Sequence, residues 1–271
     1  MTTYPGSRSL PAVFVLGSSL TIQFGPFLEQ ELSGQFRYDR KRDTETERAE
    51  DDLDIPQGAS GGDSGQVLAY LRGRRRTDPI DADILLLQCG LHDMRTDPKT
   101  GKRRVEPADF AANLHAALVE AANMGLEVVW LRITPVVDEV HNRLSTAFHR
   151  FSADVDTYNE LADHIMEKLG IQVIDLHCLC ATQVPHDLID HIHYNEKARR
   201  EQAAFIAREL SVKPVSIDHD DGPPSRPTSP KFRSTTPAKT APAPRQGIRP
   251  GPSPTRFRNA GQSENRHRDP N

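Results

Sequence analysis

The chain has 271 residues, a formal net charge of −4 and 36% hydrophobic side chains. It contains no apolar stretch of membrane-span length, and its amino-terminal run lacks a signal peptide's apolar segment, so a soluble cytoplasmic protein is expected. The three cysteines, Cys89, Cys178 and Cys180, are an odd count and too few for a disulfide framework. Composition shifts sharply near Lys213. Beyond it the chain is Pro, Ser, Thr, Arg and Gly with almost no large apolar residues, too little to offset the entropy of ordering. Residues 213–271 are therefore expected to be a disordered basic tail, and residues 1–212 one α/β domain, roughly 210 residues being enough to bury a core.

Taken in chain order, the first element is the continuous apolar run Val13–Leu16, which reads as a strand covered on both faces. It stops at Gly17-Ser18-Ser19. Leu20, Phe24, Phe27, Leu28 and Leu32 then follow at helical spacing. Phe36–Arg40 is a weaker strand, and Thr44 to Asp54, "TETERAEDDLD", reads as a solvated charge run. Gly61, Gly62 and Asp63 precede a helix that Ser64 opens. Ile84–Gln88 is a strand, with Cys89 beside it as a small buried hydrophobe, and Gly90, His92 and Asp93 follow at once.

The stretch from Pro107 to Gly125 has the proline and glycine punctuation of a helix, with Phe110, Leu114 and Leu118 on one stripe. Val128–Ile133 is the next strand, and the stretch 145–170 reads as a helix ending at Gly170. Val173–Leu176 is the last strand. Asp190 and His193 stand three apart just before a final helix from about Asn195 to Leu210. Strands alternating with helices imply a parallel sheet with helices on both faces, and no internal repeat is present.

In such a fold, ligands bind beyond the carboxyl ends of the strands. A serine, two glycine turns, a polar donor and an Asp/His pair all fall at junctions of that kind. Acyl transfer needs this set: a nucleophile, a base oriented by a carboxylate, and donors aimed at the developing oxyanion.

The blocks resemble those of the SGNH (GDSL-type) hydrolase superfamily over Val13 to Leu210. Gly17-Ser18-Ser19-Leu20-Thr21 is similar to G-D-S-[LI]-T, Gly61-Gly62-Asp63-Ser64 to S-G-D-T, Gly90-Leu91-His92-Asp93 to G-x-N-D, and Asp190-His191-Ile192-His193 to D-x-x-H. Thr134-Pro135, Tyr158-Asn159 and Val173 to Leu176 look like the connecting segments of these enzymes. The resemblance implies a three-layer, flavodoxin-like α/β fold with a parallel five-stranded sheet in the order 2-1-3-4-5. It makes Ser19 the nucleophile, His193 the base and Asp190 its carboxylate. The implied oxyanion hole is the N–H groups of Ser19 and Gly62 with the side chain of His92. Ser18 replaces the family's aspartate, which mainly supports the turn. His92 replaces an asparagine donor, and a neutral imidazole still has one N–H to give.

Plainer readings stand beside these. Ser19 alone fits a helix N-cap. Gly62-Asp63-Ser64-Gly65 spells the "GDSG" of trypsin-like proteases, but those all-β enzymes need His and Asp upstream. Asp190 and His193 could form a metal pair with His191 and Asp187, yet no second cluster of suitable spacing accompanies them. "HCLC", His177 to Cys180, is a single C-x-C. The glycines lack the Gly-Lys-Ser/Thr of a phosphate-binding loop, and the tail lacks the interleaved aromatics of a nucleic-acid binder. The expectation is a serine esterase acting on a small-molecule, short-acyl ester. It needs no cofactor or metal, has no nucleic-acid partner, and leaves the tail as a candidate site for an unidentified partner. An acyltransferase with the same triad and a non-catalytic binding protein are the rivals.

Overall fold

The computed structural model describes residues 10–42 and 58–212. The charge run 44–54 and the expected basic tail from 213 lie outside the described residues. Five strands, β1 (Ala12–Leu16), β2 (Arg37–Arg40), β3 (Ile84–Leu87), β4 (Glu127–Leu131) and β5 (Gln172–Ile174), form one sheet in the order β2-β1-β3-β4-β5. Every pairing is parallel. Val13, for example, lies opposite Tyr38 of β2 and Ile84 of β3. Parallel central strands are covered on both faces, which is why β1 and β3 are apolar without alternation and buried at every position.

The helices are α1 (Ser19–Leu32), α2 (Ser64–Thr77), α3 (Pro107–Asn123), α4 (Asp138–Leu144), α5 (Ser152–Leu169), α6 (Leu176–Ala181) and α7 (Glu196–Val212). Helix α1 packs on α7, while α2 packs on α3 and α3 on α5. The core runs through the sheet into both helical layers and includes Phe24, Phe110, Trp130 and Tyr158, all fully buried. Among the described residues no helix is long and apolar enough to cross a membrane.

Helix α1 contains Pro26, which leaves the Ile22 carbonyl without its intrahelical donor. Arg40, at the end of β2, supplies one instead, its Nη1 lying 3.4 Å from that oxygen. Gly25 makes room for this approach, since a Cβ there would lie 2.8 Å from the Tyr38 hydroxyl and 3.1 Å from Arg40 Nη1. The helix is thus tied to the edge strand where its own ladder breaks.

The sheet, its order and the α3 boundaries agree with the sequence reading, but the region after β4 does not. The stretch 145–170 is helical only from Ser152. Residues 145–151 are instead held to the loop after β3, with Thr96 and His149 exchanging backbone hydrogen bonds of 2.9 and 2.8 Å. Helix α4 precedes this segment, and Leu176 opens α6 rather than ending β5. In each case a long-range or capping bond overrides local periodicity; Asp175 caps α6 by accepting from the Cys178 N–H at 3.0 Å.

Candidate active site

Because all five strands run the same way, their carboxyl ends share one edge, and the four motif segments meet there. The first is the β1–α1 turn. A Cβ on Gly17 would sit 2.3 Å from Thr21 Cγ2, so this sharp turn requires glycine. Ser18 is the N-cap residue but its side chain caps nothing. Its Oγ donates to Gln88 Oε1 at 3.0 Å, and its carbonyl accepts from both the N–H and the hydroxyl of Thr21. Ser19 is the first residue of α1, with its hydroxyl free of capping duty and its N–H among the orphan donors of the helix start.

The second segment is tied to the first, the Gly61 N–H donating to the Gly17 carbonyl at 2.7 Å. Gly62 has a φ of +70°, and a Cβ there would lie 2.2 Å from Gln66 Oε1. Its N–H donates to Ser60 Oγ at a long 3.2 Å. Asp63 and Gln66 form a reciprocal capping box on α2.

The third segment leaves β3 through Gly90, at φ +126°, where a Cβ would meet Ile133 Cδ1 at 2.3 Å. His92 is 3% exposed, and its Nδ1 is buried with no hydrogen-bond partner among the described residues. Burial, followed by the guanidinium charges of Arg95, Arg150 and Arg104, holds its imidazole well below the ordinary histidine range. It is neutral. Asp93 is fully buried and accepts from the Ser64 N–H at 3.0 Å and from the Ser64 hydroxyl. Burial pushes its carboxyl up to about 7, against the opposing pull of the Ser64 donors. This bond locks the third segment to the start of α2, and it explains why Ser64 is a helix-start residue with its hydroxyl occupied.

The last segment is a tight loop. The Ile189 N–H donates to the His193 carbonyl at 2.8 Å, and Asp187 Oδ1 accepts from Asn195 Nδ2 at 2.8 Å. His193 Nε2 lies 2.8 Å from Ser19 Oγ, and its Nδ1 lies 2.6 Å from Asp190 Oδ2. Asp190 Oδ1 accepts from the N–H groups of Ile192 and His193, both at 2.7 Å. Burial pushes the Asp190 carboxyl up, but the hydrogen bond and charge of His193 and these two N–H groups outweigh it and hold the carboxyl well below the usual range. A hydroxyl, an imidazole and an ionised carboxylate in one line form an arrangement able to activate the hydroxyl as a nucleophile.

His191 flanks this line, with its Nδ1 3.9 Å from Asp190 Oδ1, and packs edge-on against both His141 and His193, at ring-centroid distances of 4.7 and 6.0 Å. Asp187 is engaged with Asn195. Among the described residues no three His, Cys, Asp or Glu side chains form a group able to hold a metal. In α6, Cys178 is exposed and Cys180 buried. The sequence reading gave no role to Gln88, Ser60 or the Asp93–Ser64 bond. Asp93 stood in a quoted motif, but its partner lies 29 residues away, beyond any local signal.

The profile of the GDSL-like lipase/acylhydrolase family matches residues 15–200. No curated protein sequence matches this chain significantly. The fold is similar to that of a lipase/acylhydrolase from Enterococcus faecalis, at 14% identity and a TM-score of 0.55, covering 75% of this chain and 96% of the other. It is also similar to an aryl esterase from M. smegmatis (12% identity, TM-score 0.55, 74% and 99% covered). A carbohydrate acetylesterase from Sinorhizobium meliloti is a further structural relative (14% identity, TM-score 0.51, 74% and 99% covered). With its matched segment taking in all four motif segments of the site, the chain belongs to the GDSL-like lipase/acylhydrolase family and is, at that level, an ester hydrolase.

Proposed function

We propose that this protein is a serine esterase that hydrolyses a short-acyl carboxylic ester through Ser19, His193 and Asp190. The observation that carries the reading is the continuous line from Ser19 Oγ through His193 to Asp190, with separations of 2.8 and 2.6 Å. Ser19 Oγ attacks the ester carbonyl as His193 Nε2 takes its proton. The carbonyl electron pair moves to oxygen, and the oxyanion is held by the N–H groups of Ser19 and Gly62 and by the neutral imidazole of His92. Collapse expels the alcohol, which receives the proton from His193. Water then repeats the sequence on the acyl-enzyme and frees the carboxylic acid and Ser19. Asp190 keeps His193 in the tautomer with its proton on Nδ1 and stabilises the imidazolium that forms.

Two further features support the oxyanion assignment. The Gly62 N–H has only a long bond to Ser60 Oγ, one that a charged acceptor readily displaces. The His92 ring, which its surroundings favour in the neutral form, keeps one N–H to give. The short-acyl preference is supported by the acetylesterase among the structural relatives. No cofactor enters the scheme.

A fluorophosphonate probe should label the wild-type protein and Ser64→Ala but not Ser19→Ala. Labelling that survives Ser19→Ala overturns the nucleophile. Turnover of p-nitrophenyl acetate, with and without an added acceptor alcohol, separates hydrolysis from acyl transfer. Absence of both reactions leaves the fold as a binding module.

A further inference from the structure

The loop that carries His92 is gripped from outside by the segment between α4 and α5. Thr96 and His149 bridge backbone to backbone. Arg150, 2% exposed, donates from Nε to the Leu91 carbonyl at 2.6 Å. That carbonyl belongs to the peptide group whose nitrogen is His92's own. Arg150 Nη1 lies 2.9 Å from His141 Nε2. An arginine can only donate, so Nε2 accepts and His141 is neutral with its proton on Nδ1. That proton points to Asn142 Oδ1 at 3.1 Å, which also accepts the Arg150 backbone N–H at 2.9 Å. The guanidinium is stacked 4.9 Å from the Phe148 ring centroid. Both ends of the arginine are thus fixed from α4, and its Nε is directed at one backbone oxygen.

We propose that Arg150 is a positioning residue that sets the Leu91–His92 peptide, and with it the place of the His92 imidazole in the oxyanion hole. Burying a guanidinium is costly, and apolar groups of the same shape would fill this space at least as well. What an arginine adds is directed, charge-assisted donation to a backbone carbonyl next to the oxyanion donor. Its charge has a second effect. The charges that weigh most on His92 are those of Arg95, Arg150 and Arg104, with a smaller contribution from His193, and all four oppose its protonation. Arg150 thus helps to keep the imidazole neutral as well as in place. This inference rests on the esterase reading, in which His92 is a donor.

The test uses Arg150→Met and Arg150→Lys in the full chain, each also combined with His92→Ala. A displaced donor acts in the transition state, so Arg150→Met should lower kcat by roughly 10–100-fold with KM changed by less than about 3-fold. In the His92→Ala background the same change should cost less than about 3-fold in kcat, because the two residues act as one unit. An equal loss in both backgrounds overturns the proposal and makes Arg150 a structural residue only. Should Arg150→Met fail to fold, Arg150→Lys carries the test, since it keeps the charge but loses the pair of fixed donors.

Long-range 1H–15N spectra of the His92 ring give a readout independent of turnover. In Arg150→Met the ring should begin to titrate at higher pH than in wild type, and in Arg150→Lys its resonances should shift while it stays neutral. If wild type hydrolyses no ester but these shifts occur, the esterase reading falls and the positioning contact stands. Unmoved His92 resonances in both variants overturn the contact itself.

Discussion

Asp190 meets His193 twice. One carboxylate oxygen accepts the ring Nδ1–H at 2.6 Å, and the other accepts the backbone N–H of the same residue at 2.7 Å. The second oxygen also holds the Ile192 N–H. The four-residue D-x-x-H spacing is therefore a compact turn in which the carboxylate grips both the ring and the main chain of its histidine.

That double grip gives Asp190→Asn a definite outcome. Two backbone donors compete for one oxygen, so the amide oxygen of the variant turns to them and its NH2 faces His193 Nδ1. The ring must then carry its proton on Nε2, where it cannot act as a base toward Ser19. We expect kcat to fall by about 10⁴-fold, the size of the same exchange in other serine–histidine–aspartate triads. The melting temperature should stay close to wild type, since both backbone bonds remain. A loss below 10-fold in a folded variant would show that the carboxylate does not set the tautomer.

The buried Asp93 makes an opposite prediction about stability. Unfolded, this carboxyl ionises near pH 4. Folded, burial keeps the proton up to about 7. The proton favours the folded state, so this contribution is complete below pH 4 and is lost as pH climbs through about 7. The advantage of wild type over Asp93→Asn in melting temperature should therefore shrink from pH 4 to pH 8. A constant or growing advantage would mean that the Ser64 donors keep Asp93 ionised throughout.

His92 tilts the same balance the other way. Its folded imidazole is held well below the ordinary range by burial and by Arg95, Arg150 and Arg104. Below about pH 6.5 the unfolded chain binds a proton at this position that the folded protein refuses. Stability is then lost as pH falls, by at most about 1.4 kcal/mol per pH unit. His92→Asn removes the effect, so its melting temperature relative to wild type should rise between pH 7 and pH 5. If the two pH curves run parallel, the folded ring takes up its proton over the same pH range as the unfolded chain, and its surroundings do not hold it neutral.

The strands that position the site were legible because buried parallel strands leave continuous apolar runs, and "AVFVL" and "ILLL" are such runs. The glycines were legible for a different reason. Gly17 and Gly62 each stand where a Cβ would strike a side chain four residues ahead, at 2.3 and 2.2 Å, so that turn chemistry is written locally, whereas the Cβ of Gly90 would meet Ile133 from beyond β4. The misread stretch 145–151 has a helical apolar rhythm, yet its backbone is claimed by Thr96 and Asn142. Arg150 could not be found in the sequence, because its bond to the Leu91 carbonyl spans 59 residues and is to main chain, which has no residue signature. Likewise Gln88 showed only as the last letter of a strand until Ser18 was seen to donate to it.

The last prediction concerns the chemistry of His92. A side chain that donates to the oxyanion acts mainly in the transition state, so its removal lowers kcat far more than it raises KM. We expect His92→Ala to lose about 10²–10³ in kcat, the range for one such donor. His92→Asn should recover a substantial part, because an amide NH2 at this place reproduces the donor used by related enzymes. A purely structural histidine predicts something else: both variants less stable, with near-normal kcat in whatever remains folded. A protonated His92 would be the stronger donor, but His193 must be neutral to act as base, and a single working pH cannot charge one and spare its neighbour unless their environments differ. Burial and the guanidinium charges around His92 favour its neutral form. Steady-state kinetics on the two variants, each checked for folding by circular dichroism, decides between these accounts. A folded His92→Ala protein that turns over like wild type would leave the N–H groups of Ser19 and Gly62 as the whole oxyanion hole.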